Sequence, residues 1–158
     1  MAHQKMTEQE AIDKARAYFL TEDHTYGCAE TTFMVLKEAY GLPDSADSSP
    51  AMALNGGVAH RGGLCGAISG AALAIGMLAE RRIQDHKEAK RAARRIVAQL
   101  MDDFQATHQA VNCRELIGLD IRDERQHQQF IESDIWRTRC MAQIEFSIRQ
   151  CYALGEQE

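Results

Sequence analysis

Proline and aromatic side chains are scarce in this chain. The only prolines, Pro43 and Pro50, fall in one short stretch, and aromatics make up 6% of the 158 residues. Ala, Leu, Ile and Met fill the difference, a composition suited to helices packed closely over small side chains. No apolar run approaches the roughly 20 residues of a membrane-spanning helix. The first 20 residues alternate charged with apolar positions and contain no signal-peptide core, so a cytoplasmic location is expected. Positive charge is not in excess either. A net charge of −5 and a pI near 5.7 leave no electrostatic case for binding nucleic acid or an anionic membrane.

Familiar catalytic signatures are also missing. The six histidines (His3, His24, His60, His86, His108, His127) form no H-x-x-x-H or H-E-x-x-H pair. Asp102-Asp103 and Asp123-Glu124 are adjacent carboxylates, which a helix turns to different sides. Neither a phosphate-binding P-loop nor a dinucleotide fingerprint occurs. Hydrolysis and group transfer therefore have no candidate machinery.

What is present is helical patterning over one domain, residues 1–158, long enough to bury a single core. Thr7-Glu8-Gln9-Glu10 is a capping box followed by the stripe Ala11, Ile12, Ala15, Tyr18, Phe19. A second helix begins near Cys28 and ends at Gly41 and Pro43. Residues 42–64 are irregular and rich in glycine, with a short helix at 50–54. From Cys65 to about Ile83 runs a helix of small residues, where each internal glycine costs roughly 1 kcal/mol against alanine. Close approach of a neighbouring helix is the expected compensation. Residues 85–107 carry an unbroken apolar stripe, with Lys87, Lys90, Arg91, Arg94 and Arg95 on the other side. Asn112 caps a short helix, a polar connection follows, and Ser133 or Asp134 opens a final helix to Leu154, closed by Gly155. The expected fold is an all-α, single-domain bundle of about five main helices, with a Gly-rich loop before the central small-residue helix.

Five cysteines stand in this frame, an odd number with no two closer than 11 positions. In a reducing compartment that excludes a structural disulfide framework. Cys28, Cys65 and Cys113 each fall at a predicted helix start, where unpaired amides and the helix dipole favour thiolate. Cys140 and Cys151 lie on the inner face of the last helix, and Cys151 reads as core. No C-x-x-C pair exists, so a four-thiol site has to be assembled by tertiary folding, one ligand from each of four segments. A bound metal or cluster, a redox-active thiol pair and ordinary buried cysteines all remain open on these residues alone.

The residues Cys65-Gly66-Ala67-Ile68-Ser69-Gly70, with Gly27-Cys28-Ala29, Gly56-Gly57, Asn112-Cys113-Arg114-Glu115-Leu116 and Cys140, form an ordered set. In this set the chain resembles the small proteins classed as putative redox-active proteins, which carry four dispersed cysteines and a Cys-Gly-Ala-x-x-Gly motif. A related domain accompanies haem and an iron–sulfur centre in split-Soret cytochromes. The resemblance implies Cys28, Cys65, Cys113 and Cys140 as metal ligands or redox thiols. Gly66 would then stand close to the cofactor, an iron–sulfur cluster of the [2Fe–2S] type. Electron transfer to a redox partner protein, or redox sensing, follows as the expected role, and a homodimer is left open. A metal-free thiol–disulfide protein and a structural zinc-binding interaction domain are the alternatives. No C-x-x-C-H motif supports carrying over the haem. The chain departs from the family pattern in Cys151 and in Val58-Ala59-His60-Arg61, where a further glycine is expected. His60 and Arg61 read as solvated loop positions.

Overall fold

The structure, a computed structural model, describes residues 6–156; His3 lies outside them. Every regular element is helical. Helix α1 is Glu8–Phe19, α2 Cys28–Ala39, α3 Gly66–Arg82, α4 His86–His108, α5 Cys113–Ile117, α6 Glu124–Glu132 and α7 Met141–Glu156. A 3₁₀ segment spans Ser49–Leu54 and a π-helical segment spans Trp136–Cys140. Among the described residues the only β pairing is an isolated antiparallel bridge between Leu64 and Asn112.

Local chemistry sets these boundaries. Thr7 Oγ1 accepts from the Glu10 amide (3.1 Å) and Glu10 Oε1 accepts from the Thr7 amide (3.2 Å), which completes the expected capping box. Asp85 caps α4 in the same manner, accepting from the Glu88 amide at 3.1 Å. Along α4, Ala89, Ala92, Leu100 and Phe104 are buried while Lys87, Lys90, Arg91, Arg94 and Arg95 are exposed, as the stripe requires.

Helix α3 is the centre, packed most extensively against α2 and α4. Gly70 explains the closeness to α2, because a Cβ there would overlap the carbonyl oxygen of Ala29. Backbone against backbone is a distance only glycine permits. Gly76 departs from the expectation, since nothing lies within 4 Å of where its Cβ would stand. Its helical penalty is not offset by a neighbouring helix of this chain.

Two segments differ from the sequence reading. The polar connection after α5 contains α6, capped by Asp123 Oδ1 accepting from the Gln126 amide (3.0 Å). None of its residues is fully buried, and Phe130 and Ile131 are its only apolar residues, so the sequence reads as a polar connection. The last helix opens where expected, its helical backbone beginning at Ile135 with the Asp134 carbonyl accepting from the Thr138 amide (2.9 Å), but it closes later than expected. A π-helical stretch ends at Cys140 and α7 continues through Gly155 to Glu156, so Gly155 does not close it. Lys37, only 2% exposed, was not singled out by its sequence context. Its ammonium donates to the carbonyls of Asp44 (2.7 Å) and Asp47 (2.5 Å) and lies 4.1 Å from the centroid of the Phe33 ring, so it pins the 42–48 loop to α2.

Candidate functional site

Four segments deliver Cys28, Cys65, Cys113 and Cys140 to one place. Cys28 is the first residue of α2 and Cys113 the first of α5, while Cys65 is the cap residue of α3 and Cys140 ends the π segment. The Cys65 and Cys113 segments are laced together. The Cys65 amide donates to the Val111 carbonyl (2.8 Å), the Cys113 amide to the Gly63 carbonyl (2.7 Å) and the Arg114 amide to the Gly62 carbonyl (3.2 Å). Cys28 meets the motif directly: a Cβ on Gly66 would collide with its Sγ. The glycine after Cys65 therefore keeps the space that the Cys28 sulfur fills. Cys65 is buried, its thiol 3.7 Å from Gln143 Oε1.

Electrostatics confirm that the four sulfurs share an environment. Burial pushes the Cys140 thiol well above its ordinary pKa, and the charges of Cys28, Cys65 and Cys113 push it the same way. Cys65 is raised by burial first and then by Cys28 and Cys113. Cys113 is raised to about 12 by burial and by Cys28. Cys28 is raised by burial, against backbone amides of Gly56, Ala29 and Gly66 that stabilise its thiolate. The amides of Ala67 and Ile68 act likewise on Cys65.

This corrects one expectation. Helix starts do supply amides to the sulfurs, but desolvation and mutual repulsion outweigh them, and the free thiols are protonated at neutral pH. At α2 the supply is shared, since Asn55 Oδ1 also accepts from the Ala29 (2.9 Å) and Glu30 (3.4 Å) amides. Gly27 admits that side chain, since a Cβ there would strike Asn55. Glu30 closes the arrangement: Oε1 accepts from the Gly27 amide (3.1 Å) and Asn55 Nδ2 (2.7 Å), and Oε2 from Ser48 Oγ (2.7 Å). At α5 Asn112 occupies the cap position without a side-chain cap bond.

The loop before Cys65 is the most unusual backbone. Gly56, Gly57, Val58, Ala59 and His60 all have positive φ, between 53° and 74°. A left-handed stretch costs about 1–2 kcal/mol per non-glycine residue, and a β-branched residue such as Val58 suits it least. Glycine is indeed what the backbone at 58–60 would favour, which gives the departure from the family pattern a physical meaning. The turn places the His60 ring 5.4 Å from that of His127. Arg61 is exposed, and His60, though exposed, borders a cavity.

That cavity, of about 430 Å³, is lined by Cys28, Cys113 and Cys140 together with His60, His127 and Trp136. Cys65 does not line it. Among the described residues no group of three or more His, Cys, Asp or Glu side chains is arranged to hold a single metal ion. The donor set fits a polynuclear centre better: three thiols line a space larger than one ion, the Cys65 thiol is buried behind them, and amides are directed at the Cys28 and Cys65 sulfurs. Cys151 stands apart, buried against Tyr40.

No curated protein and no solved structure matches the chain. A family model does, over residues 26–153, and its description, putative redox-active protein (C_GCAxxG_C_C), spells out the ordered cysteines and glycines whose packing is described above. The chain belongs to this family.

Proposed function

We propose that the four-cysteine site holds an iron–sulfur cluster of the [2Fe–2S] type and that the protein transfers electrons to or from a partner protein, or reports redox state. Cys28, Cys65, Cys113 and Cys140 would be the ligands. The observation that carries this reading is the convergence of four thiols from four separate segments, with Cys65, Cys113 and Cys140 each feeling the charge of Cys28. Bound cationic iron would supply reversible one-electron chemistry and hold as thiolates the sulfurs that burial otherwise keeps protonated. The chain's own share is to exclude water from the sulfurs, to bring amides of α2, α3 and the 56–57 turn to them, and to keep Gly66 free of a side chain where the Cys28 sulfur sits.

The raised thiol pKa values weigh against a metal-free exchange protein, whose attacking sulfur needs to be thiolate near neutral pH. Anaerobic purification decides the matter. Brown protein with visible absorption and iron and acid-labile sulfide in equal amounts is the expected result. Colourless protein that carries zinc, or that carries no metal and gains free thiols on reduction, would overturn it.

A further inference from the structure

The cavity beside the cysteines is larger and more varied than its thiols alone account for. It runs from exposed His60 to Trp136, which is 2% exposed. Between them its lining is aromatic and aliphatic: Phe19, Tyr26, Phe130 and Ile131 join Trp136. Flat rings pack well against such walls, and at about 430 Å³ the space falls within the range of roughly 300–1,000 Å³ typical of small-molecule sites.

Charge narrows the ligand class. No lysine or arginine lines the cavity, so nothing compensates a phosphate or a carboxylate, and nucleotide cofactors are unsuited. A cation is unsuited as well. The Glu30 oxygens are taken by Gly27, Asn55 and Ser48, and Asp23 Oδ1 accepts from the Thr25 amide at 3.2 Å while standing exposed. The free polar capacity is the Tyr26 phenol and three imidazoles, of which His24 lies against Trp136 (ring centroids 4.4 Å apart) and the other two are paired. His60 and His127 stand ring to ring at 5.4 Å, and their ring nitrogens have no hydrogen-bond partner among the described residues. A backbone in the left-handed region holds His60 there, with Gly56 lacking the Cβ that would strike its ring. The Trp136 indole N–H, in contrast, is spent on the Ile131 carbonyl at 3.0 Å.

We infer that this cavity binds a neutral, flat ring compound carrying carbonyl oxygens, of the quinone class, with the ring against the aromatic walls and an oxygen accepting from His60 or His127. The inference rests on the reading of the neighbouring cysteines as a redox centre, since a ring lodged there lies beside the sulfurs.

Trp136 is the only tryptophan in the chain, so its fluorescence reports occupancy. Duroquinone is a suitable probe because every ring carbon is substituted and thiols cannot add to a free position. It is titrated anaerobically into the full-length protein as purified, with iron and sulfide measured on the same sample. Saturable quenching is expected, weakened about tenfold when both histidines are replaced, His60→Ala with His127→Ala. Ile131→Phe, which adds a ring to the cavity wall, is expected to weaken it further, with a thermal melt checking that the variant is folded. If Ile131→Phe does not fold, the double histidine variant carries the test alone. Quenching that rises without saturation, or that saturates at the same midpoint in the folded variants, overturns the proposal. The iron assay keeps the two readings separate: binding by iron-free protein sustains the cavity assignment and defeats the cluster, whereas iron retained without binding defeats only the cavity assignment.

Discussion

Two buried thiol environments coexist here. Around Cys65, burial brings other cysteines and backbone amides. Around Cys151, burial brings a single partner, the Tyr40 hydroxyl, whose hydrogen bond only partly offsets desolvation. Both thiols are raised above their ordinary pKa, Cys151 to about 12. A perturbed titration therefore does not mark the site. Company does: the Cys65 group gathers ligands, whereas Cys151 fills space under α2 and α7.

The sharpest way to break this comparison is to remove one sulfur from each environment. Cys65→Ser is expected to abolish iron retention and Cys151→Ser to leave it nearly unchanged, read by iron and sulfide content after anaerobic purification. Equal loss in both variants would erase the distinction.

Alkaline pH tests both environments together. A thiol whose folded pKa lies above its unfolded value contributes stability that is intact below the unfolded pKa, near 9, and is lost as pH rises toward the folded one. For Cys113 and Cys151 that window runs from about 9 to about 12. Each such thiol contributes a slope of about 1.4 kcal/mol per pH unit there. The Tm of metal-free protein should fall steeply above pH 9. Cluster-loaded protein should fall less, because only Cys151 remains a free thiol. Identical slopes would mean that the four sulfurs are not engaged.

The smallest expected effects come from the neighbours. Gly66→Ala forces a methyl against the Cys28 sulfur and should destabilise by about 1–3 kcal/mol in thermal or urea unfolding, with iron retention impaired. Tyr40→Phe removes only the partner of Cys151, at a cost near 1 kcal/mol, with iron retained. A larger effect at Tyr40 than at Gly66 would invert the ranking.

Much of the framework was legible because helix signals are local. The Thr7–Glu10 box, the α4 stripe and the Cys-Gly-Ala-x-x-Gly segment lie in short windows, and the all-α reading followed from them. Expectations failed where distant residues intervene. The amides of α2 looked free for sulfur, but Asn55, remote in sequence, shares the Ala29 amide with Cys28 and takes that of Glu30. Burial of the thiols is a property of the assembled core, and no single helix start discloses it. Helix α6 escaped notice because only two of its nine residues, Phe130 and Ile131, are apolar. The left-handed turn at 56–60 is visible in sequence only as two glycines, since Val58, Ala59 and His60 adopt a conformation their side chains disfavour.

The lacing between residues 62–65 and 111–114 has a mechanical consequence. Three main-chain bonds, two of which make up the Leu64–Asn112 bridge, join the Cys65 and Cys113 segments, while Cys28 and Cys140 arrive on separate helical segments. On the proposed reading, two of the four ligands would therefore be held in register by the main chain itself, and the other two by helix packing alone.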